Sequence, residues 1–312
     1  MKIRMRIFVL LITAMTVLTL GCTKENEVKT QSLKIGVMSD IGAAPFVIAK
    51  ENGYFSDLGL DVELVVFKSA VDRDTAMQTG QLDAAMADML TIVFYNDAGL
   101  KSQMIAETYG DYVLVTAPNL SADSIAAQDT LKVGISSNTV IDFATDEVSK
   151  ALGLTDKMEK VAIPQMPVRL EMLGAGELQM ATLPEPLAST AVIGGGEKVE
   201  GTLDLSLKPG VFIATETAMD EKTEALKKLY QGYNQAVVYI NDTEQSEYIQ
   251  LFVDQLGFPP VLMEVYDFPT LNPAAVSDQA TFERVLAWMQ EKALTESAYT
   301  FDALSTDAFL SK

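Results

Sequence analysis

The chain has no histidine, one cysteine and one tryptophan among its 312 residues. Without histidine it cannot build imidazole zinc sites, triads of serine, histidine and aspartate, or histidine acid–base catalysis. Basic residues are also scarce, since 23 lysines and arginines stand against 43 acidic residues, for a net charge of −20. A surface with this charge repels nucleic acid and anionic lipid. We therefore expect no nucleic-acid partner.

Only one long apolar run is present, from Ile7 to Leu20, and it follows three basic residues. The run is shorter than the roughly 20 apolar residues that a membrane-spanning helix needs. The only cysteine, Cys22, comes two residues after the run. This arrangement predicts a secretory signal over residues 1–21, with lipid attached at Cys22 as the new N-terminus. The alternative is a cleaved signal that leaves Cys22 as a free thiol.

The remainder of the chain has the composition of a folded protein. Loss of residues 1–21 removes three basic groups and leaves 20 basic and 43 acidic residues, a formal charge of −23. Residues 22–32 are polar and without periodicity, which predicts a flexible linker behind the lipid. The length that follows and a hydrophobic content of 48% suffice for two domains with cores of their own. We expect an extracytoplasmic body that a lipid anchors to the cell membrane.

Two stretches of the sequence recur at nearly the same spacing. The segment Leu33–Ser39 (LKIGVMS) is repeated as Leu131–Ser137 (LKVGISS), 98 residues later. The segment Gly80–Ala85 (GQLDAA) is repeated as Gly176–Ala181 (GELQMA), 96 residues later. Two similar lobes explain both repeats, and chance similarity between short strand openings is the alternative.

Short apolar strands alternate with amphipathic helices along the chain, which is typical of an α/β fold with largely parallel sheets. Strands are predicted near 33–38, 61–66, 83–87, 131–135, 159–163 and 178–182. Helices are predicted near 45–52, 71–79, 89–98, 139–152, 167–174 and 185–192. Two more strands, Tyr112–Thr116 and Val211–Thr215, are candidates for a hinge, and the chain from Asp220 onward is predicted to be helical. The predicted lobes are 33–116 plus 212–312 for lobe 1 and 117–211 for lobe 2.

In doubly wound sheets, ligands bind outside the carboxyl ends of the strands, next to helix N-termini. Nine residues follow predicted strands in this way: Ser39, Asp40, Asp88, Thr91, Ser136, Ser137, Asn138, Thr139 and Glu185. Ser39, Asp88 and Thr139 also suit helix capping, and that role is compatible with ligand contact. Glu185 stands between two prolines on a stiff turn at a helix start, so it is the strongest candidate for a ligand contact.

Common catalytic, nucleotide-binding and calcium-binding motifs are missing from the sequence. Asp72, Arg73 and Asp74 are interpreted as the solvated start of a helix. Methionines such as Met86 and the single Trp288 are assigned to the core. We therefore predict no enzymatic activity, no metal and no cofactor.

The stretch Ala44–Leu64 (APFVIAKENGYFSDLGLDVEL) resembles the opening of the nitrate, sulfonate, taurine and thiamine-precursor binding proteins of ABC importers. Gly80–Asp83, Pro167–Leu173 and Leu183–Leu187 resemble later landmarks of that family, in the same order. The resemblance spans roughly residues 33–312. It implies a type II periplasmic-binding-protein fold, with two doubly wound lobes joined by a two-strand hinge and a small molecule bound between them.

One residue departs from the pattern of the relatives. Gln179 stands where they usually carry an acidic residue, at the position that repeats Asp83. This departure puts a local hydrogen bond between helix and strand in doubt. It bears less on the function.

Together with the signal and Cys22, the resemblance predicts a lipid-anchored substrate-binding component that delivers a small solute to an ABC permease and its ATPase. We expect it to be a monomer. Asp40, Asp88 and Glu185, together with the negative net charge, favour a neutral or cationic nitrogen ring such as a pyrimidine or thiamine precursor. The rival ligand is a sulfonate, nitrate or similar anion held by residues 136–139 with Arg169.

Two other classes of function are the alternatives to import. Pyrimidine-synthesising relatives are enzymes of the same fold, but they use a histidine and a cysteine-rich segment that this chain lacks. A ligand-sensing lipoprotein would close on its ligand in the same way without any transporter.

Overall fold

The computed structural model describes residues 30–310. The predicted signal, the lipidation site at Cys22 and most of the predicted linker lie outside these residues. The first strand begins at Gln31, so the last two residues of the predicted linker belong to the folded body.

Ten strands form two five-stranded sheets. The strands are β1 (Gln31–Met38), β2 (Leu60–Phe67), β3 (Ala84–Asp88), β4 (Ser102–Glu107), β5 (Tyr112–Thr116), β6 (Leu131–Ile135), β7 (Met158–Ala162), β8 (Met180–Pro184), β9 (Lys198–Gly201) and β10 (Gly210–Thr215). The first sheet has the order β2-β1-β3-β10-β4 and the second has the order β7-β6-β8-β5-β9. In each sheet, three parallel strands are followed by one antiparallel strand. That strand is β10 beside β3 in the first sheet and β5 beside β8 in the second.

Helices cover both sheets. They are α1 (Ala44–Glu51), α2 (Tyr54–Asp57), α3 (Ala70–Gln78), α4 (Met89–Asp97), α5 (Val140–Ala151), α6 (Met166–Gly174), α7 (Leu187–Ile193), α8 (Glu216–Glu221), α9 (Thr223–Asp242), α10 (Ile249–Leu256), α11 (Leu262–Val265), α12 (Gln279–Glu291) and α13 (Phe301–Leu304). Short 3-10 helices occupy Ile41–Ala43, Ala122–Ala127, Thr155–Lys157 and Gln245–Glu247. The C-terminal region is mostly helical as predicted, although residues 266–278 have no regular structure.

This mixed α/β architecture confirms the predicted fold class. The chain passes from the first sheet to the second at residues 108–111 and returns at 202–209. Strand β5, which the predicted boundary at residue 116 gave to lobe 1, pairs with β8 and β9 in the second sheet. All five of its residues are buried, so its apolar sequence does not show which sheet it joins. The lobe boundaries and the hinge stay predictions.

The two sheets repeat the same local contacts at equivalent positions. The carboxylate of Asp83 accepts a hydrogen bond from the backbone N of Lys34 at 2.8 Å, and the amide oxygen of Gln179 accepts one from Lys132 N at 2.9 Å. The neutral glutamine therefore preserves the contact that its departure from the family pattern had put in doubt. A Cβ at residue 134 would lie 2.6 Å from Leu178 Cδ1, and one at the equivalent residue 36 would lie 2.8 Å from Leu82 Cδ1, so the two glycines have matching surroundings.

The C-terminal helices pack mainly on the first sheet, as expected. Helix α9 lies against α1 and α2. Its buried Tyr233 packs on Phe46, with ring centroids 5.0 Å apart, and Phe46 stacks on Phe212 of β10 at 5.1 Å. The aromatic layer joins helix and sheet into one core and leaves the carboxyl ends of β1 and β3 free to line a cleft.

Candidate functional site

A cavity lies where the carboxyl ends of the two sheets meet, with about 500 Å³ of space not occupied by atoms, part of it open to solvent. Four charged side chains line it, namely Asp40, Arg73, Asp88 and Arg169. Four hydroxyl-bearing residues line it as well, namely Thr108, Tyr112, Ser136 and Thr139. Apolar residues, among them three methionines and two prolines, complete the walls. A largely apolar pocket with a few convergent polar groups is typical of small-molecule sites.

Four of the nine predicted site residues line this cavity: Asp40, Asp88, Ser136 and Thr139. Asp88 and Thr139 also cap helices. Asp88 accepts from the backbone N of Leu90 and of Thr91, and Thr139 accepts from Ile141 N. Capping and cavity lining therefore coincide, because the start of each helix lies at the carboxyl end of a strand.

Asp40 is a buried carboxyl group on the first-sheet side of the cavity. Its Oδ1 accepts a hydrogen bond from Gly42 N at 3.0 Å, which starts the short helix Ile41–Ala43. Burial raises the pKa of Asp40 to about 7, and the backbone bond and Arg73 offset only part of the rise. Near neutral pH this group can either donate or accept a hydrogen bond.

Arg73 corrects the expectation that residues 72–74 are the solvated start of a helix. Its side chain is only 3% exposed and lines the cavity. It donates to Asp74 and to Thr91 Oγ1 at 2.9 Å and lies 3.9 Å from Asp88. The two aspartates that flank Arg73 in sequence suggest a solvated segment. Ser69 caps α3 and Asp72 is exposed in its first turn, but the helix turns the arginine inward.

Arg169 is the other cavity cation, and it is fully buried at 0% exposure. Its Nε donates to Thr182 O at 2.9 Å and its Nη1 to Ile163 O at 2.7 Å. Nη2 has no hydrogen-bond partner among the residues that the structure describes. Burial lowers the pKa of Arg169 to about 10, so the group is still a cation at neutral pH.

The other predicted residues lie elsewhere. Ser39 is buried and donates to the backbone oxygen of Leu256, and Thr91 is buried against Asp88 and Arg73. Ser137 and Asn138 are exposed, and Asn138 has a left-handed φ of 56°. These two residues form the outer part of the turn before α5.

Glu185, the strongest candidate from sequence, lines a neighbouring cavity rather than the central one. That space also has Lys198, Tyr266 and apolar residues in its wall. The carboxylate of Glu185 accepts from Ser189 N at 3.1 Å, and burial raises its pKa. The preceding residue, Pro184, lines the central cavity, and the side chain of Glu185 lies outside that cavity.

Bonds across the cleft close the central cavity. Ile41 N donates to Glu185 O at 3.2 Å, and Met166 N donates to Lys68 O at 3.1 Å. Gln165 Nε2 adds a bond to Asp72 Oδ2 at 2.9 Å. The described conformation is thus a closed one, with the strand ends of both sheets in contact.

Helices α5 and α12 form a second connection between the two sheets. Lys292, directly after α12, forms an ion pair with Asp146 of α5, and Arg284 of α12 pairs with Glu147. Trp288 packs edge-on against Phe143 at 5.8 Å. This agrees with the structural role expected for the tryptophan.

Sequence reasoning missed Arg73 and Tyr112 as cavity residues. Tyr112 stood within a predicted hinge strand, where nothing in its type indicates a ligand contact. Arg73 had a usable signal, because it lies 96 residues before Arg169, the same spacing as the repeat Gly80–Gly176.

Across residues 30–310, no group of three or more acidic or cysteine side chains is arranged to hold a metal ion. In the same part of the chain, no helix is both long and apolar enough to cross a membrane.

Comparison with known proteins decides the family. The model of the NMT1-like family matches residues 26–253. The chain belongs to the NMT1-like family. This confirms the relationship that the sequence motifs indicated. A comparison with curated protein sequences gave no match.

Solved structures share the fold of this NMT1-like protein at low sequence identity. The ligand-binding component of an ABC-type import system from Staphylococcus aureus, with zinc bound, is 14% identical, with a TM-score of 0.76 over 89% of this chain and 97% of that one. The aliphatic sulphonate-binding protein SsuA of Escherichia coli is 15% identical, with a TM-score of 0.72 over 88% and 97%. The nitrate-binding protein NrtA of Synechocystis PCC 6803 is 14% identical, with a TM-score of 0.69 over 90% and 87%. These likenesses establish the periplasmic-binding-protein fold.

Proposed function

We propose that this protein is the extracytoplasmic solute-binding component of an ABC importer, anchored by lipid at Cys22. It closes on a small solute between its two sheets and delivers the solute to a permease and its ATPase. The observation that carries the proposal is the central cavity, whose charged residues come from both sheets and which the bonds at Ile41 and Met166 close. A cavity of this type captures and releases a ligand by closing and opening, without chemistry.

The ligand that best fits the cavity carries a negatively charged group. Arg169 is buried and has an unpartnered Nη2, and a buried cation is costly unless a counter-charge reaches it. Arg73, by contrast, already has Asp74 and Asp88 beside it. This favours the sulfonate or nitrate class over the nitrogen ring that the acidic composition had suggested. The SsuA and NrtA relatives of the fold are named for such anions.

A nitrogen heterocycle is the second candidate, and Asp40 favours it. Its carboxyl group faces the cavity with a pKa near 7, so it could accept from a ring N–H group. Such a ligand would leave Arg169 uncompensated, which is why we place it second.

Binding to the purified protein tests the proposal. We expect methanesulfonate, taurine or nitrate to raise the thermal unfolding temperature, since a ligand that binds only the folded state stabilises it by mass action. Pyrimidines and thiamine precursors form the opposing arm of the screen. If only ring compounds raise the unfolding temperature, the importer proposal stands and the proposal of an anionic ligand is wrong. A shift with no solute of either class would count against solute capture itself.

A further inference from the structure

The two cavity arginines occupy equivalent positions in the internal repeat. Arg73 on α3 and Arg169 on α6 are 96 residues apart, and so are strands β3 and β8, which have the same length. Each arginine lies on the helix that precedes its strand, and each lines the same cavity from its own sheet. The repeat therefore pairs every neighbour of Arg73 with a residue near Arg169.

Arg73 has three side-chain partners. Its Nη2 lies 2.8 Å from Asp74 Oδ1, 2.9 Å from Thr91 Oγ1 and 3.9 Å from Asp88 Oδ2. Two carboxylates and a hydroxyl of its own lobe thus surround this guanidinium. The carboxylates neutralise its positive charge, so it is not available to balance an anionic ligand.

The corresponding residues of the second lobe are all apolar. Adding 96 to each position gives Leu170 for Asp74, Pro184 for Asp88 and Leu187 for Thr91. Arg169 is consequently held by two backbone oxygens alone, and burial is the only influence on its pKa, which it lowers. Among the described residues, no carboxylate lies within salt-bridge distance of Arg169.

We propose that these three apolar replacements, and Pro184 above all, make the second lobe the anion-binding lobe and set the site to accept a singly charged anionic group on Arg169. The inference rests on the proposed function and deepens it. A single uncompensated cation balances one negative charge. A second negative charge on the solute would face Asp40 and Asp88 on the opposite wall.

Two anions of similar shape and different charge test the selectivity. Methanesulfonate is a monoanion and sulfate is a dianion, and both present three or more oxygens around sulfur. We expect methanesulfonate to bind the purified protein at least about tenfold more tightly than sulfate by calorimetry, about one decade of binding constant. Equal binding, or tighter binding of sulfate, would overturn the single-charge inference.

Pro184→Asp tests the specificity determinant, with Pro184→Asn as the control of equal size. The new carboxylate takes the place that Asp88 has beside Arg73, so methanesulfonate affinity should fall about tenfold or more while Pro184→Asn retains it. If both variants bind like the wild type, or both lose binding alike, charge at position 184 does not govern the site and the inference is wrong.

Unfolding without any ligand provides an independent readout. Pro184→Asp should unfold at a higher temperature than Pro184→Asn, because it supplies a counter-charge to a buried arginine. An equal or lower unfolding temperature would contradict the claim that Arg169 is uncompensated. Binding of a neutral solute, with neither anion bound, would retain the importer proposal and overturn this inference, so the two can fail separately.

Discussion

The indole Nε1 of Trp288 donates a hydrogen bond to Asp146 Oδ2 at 3.0 Å, and the bond joins helix α12, which packs on the first sheet, to helix α5 of the second. Trp288 is the only tryptophan of the chain. Its side chain is also close to Lys292, whose Nζ lies 5.7 Å from the ring centre. Any relative movement of the two sheets alters the surroundings of this one indole.

Tryptophan fluorescence should therefore report ligand-driven closure. We expect a ligand that shifts the protein between open and closed states to change the intensity or wavelength of Trp288 emission. Phe143→Leu, which removes the edge-on ring contact at 5.8 Å, should reduce the amplitude without changing the affinity. Emission that stays constant while calorimetry shows binding would mean that α5 and α12 keep their contact during closure.

Asp146 should make stability dependent on acid pH. Burial tends to raise the pKa of Asp146, but hydrogen bonds from Lys160 and Lys292 outweigh it and lower the pKa below the usual value. The stabilisation is therefore present above the unfolded-state pKa near 4 and is lost as pH falls through the lower folded-state value. Chemical denaturation of the wild type and Asp146→Asn at pH 7 and pH 3 checks this. The wild type should be more stable at pH 7, and the gap should narrow at pH 3.

Asp40 should act with the opposite sign. Its folded-state pKa of about 7 lies above the unfolded-state value, so its carboxyl group reduces stability progressively as pH rises from about 4 to 7. Asp40→Asn keeps the acceptor for Gly42 N and removes the buried charge. With about 1.4 kcal/mol for each pKa unit, it should stabilise the ligand-free protein by a few kcal/mol at pH 8 and by much less at pH 5. Equal effects at both pH values would contradict the raised pKa.

Glu185→Gln should leave solute affinity within about threefold of the wild type, which is under 1 kcal/mol. The side chain faces the neighbouring cavity, and its bond to the other sheet is made by the backbone oxygen, which the substitution retains. Ser137→Ala, at an exposed position outside the cavity, is the control and should bind the solute like the wild type. A tenfold loss of solute affinity in Glu185→Gln alone would show that this side chain contacts the ligand.

Cys22→Ala should abolish attachment of lipid. Metabolic labelling with an alkyne fatty acid should mark the wild-type chain and leave the variant unmarked, with the variant released from the membrane fraction. Labelling that persists in the variant would exclude Cys22 as the lipidation site.

The regular elements of the sheets were largely predictable, because apolar strands and amphipathic helices differ in period. The predicted β1, β2, β3 and their repeats agree with the structure to within two residues. Strand β4 and the four-residue β9 were missed, since their mixed sequences carry no clear alternation. Pairing partners were not predictable for β5, whose residues are all buried.

The site was predictable only in part. Asp40, Asp88, Ser136 and Thr139 line the cavity because strand ends lead there, and that rule depends on sequence order alone. The inward direction of Arg73 was not predictable from its own neighbours. Its burial follows from how α3 packs, which a local sequence window does not contain.

Both backbone bonds that close the cleft use the first N–H group of a helix: Ile41 begins the 3-10 helix Ile41–Ala43, and Met166 begins α6. Such groups have no partner inside their own helix, so in an open molecule water would take the place of the opposite lobe. The exchange of water for protein leaves only about 0.5–1.5 kcal/mol for each bond. These two bonds therefore stabilise the closed conformation only weakly by themselves. A solute of modest affinity suffices to shift the equilibrium between the open and closed conformations.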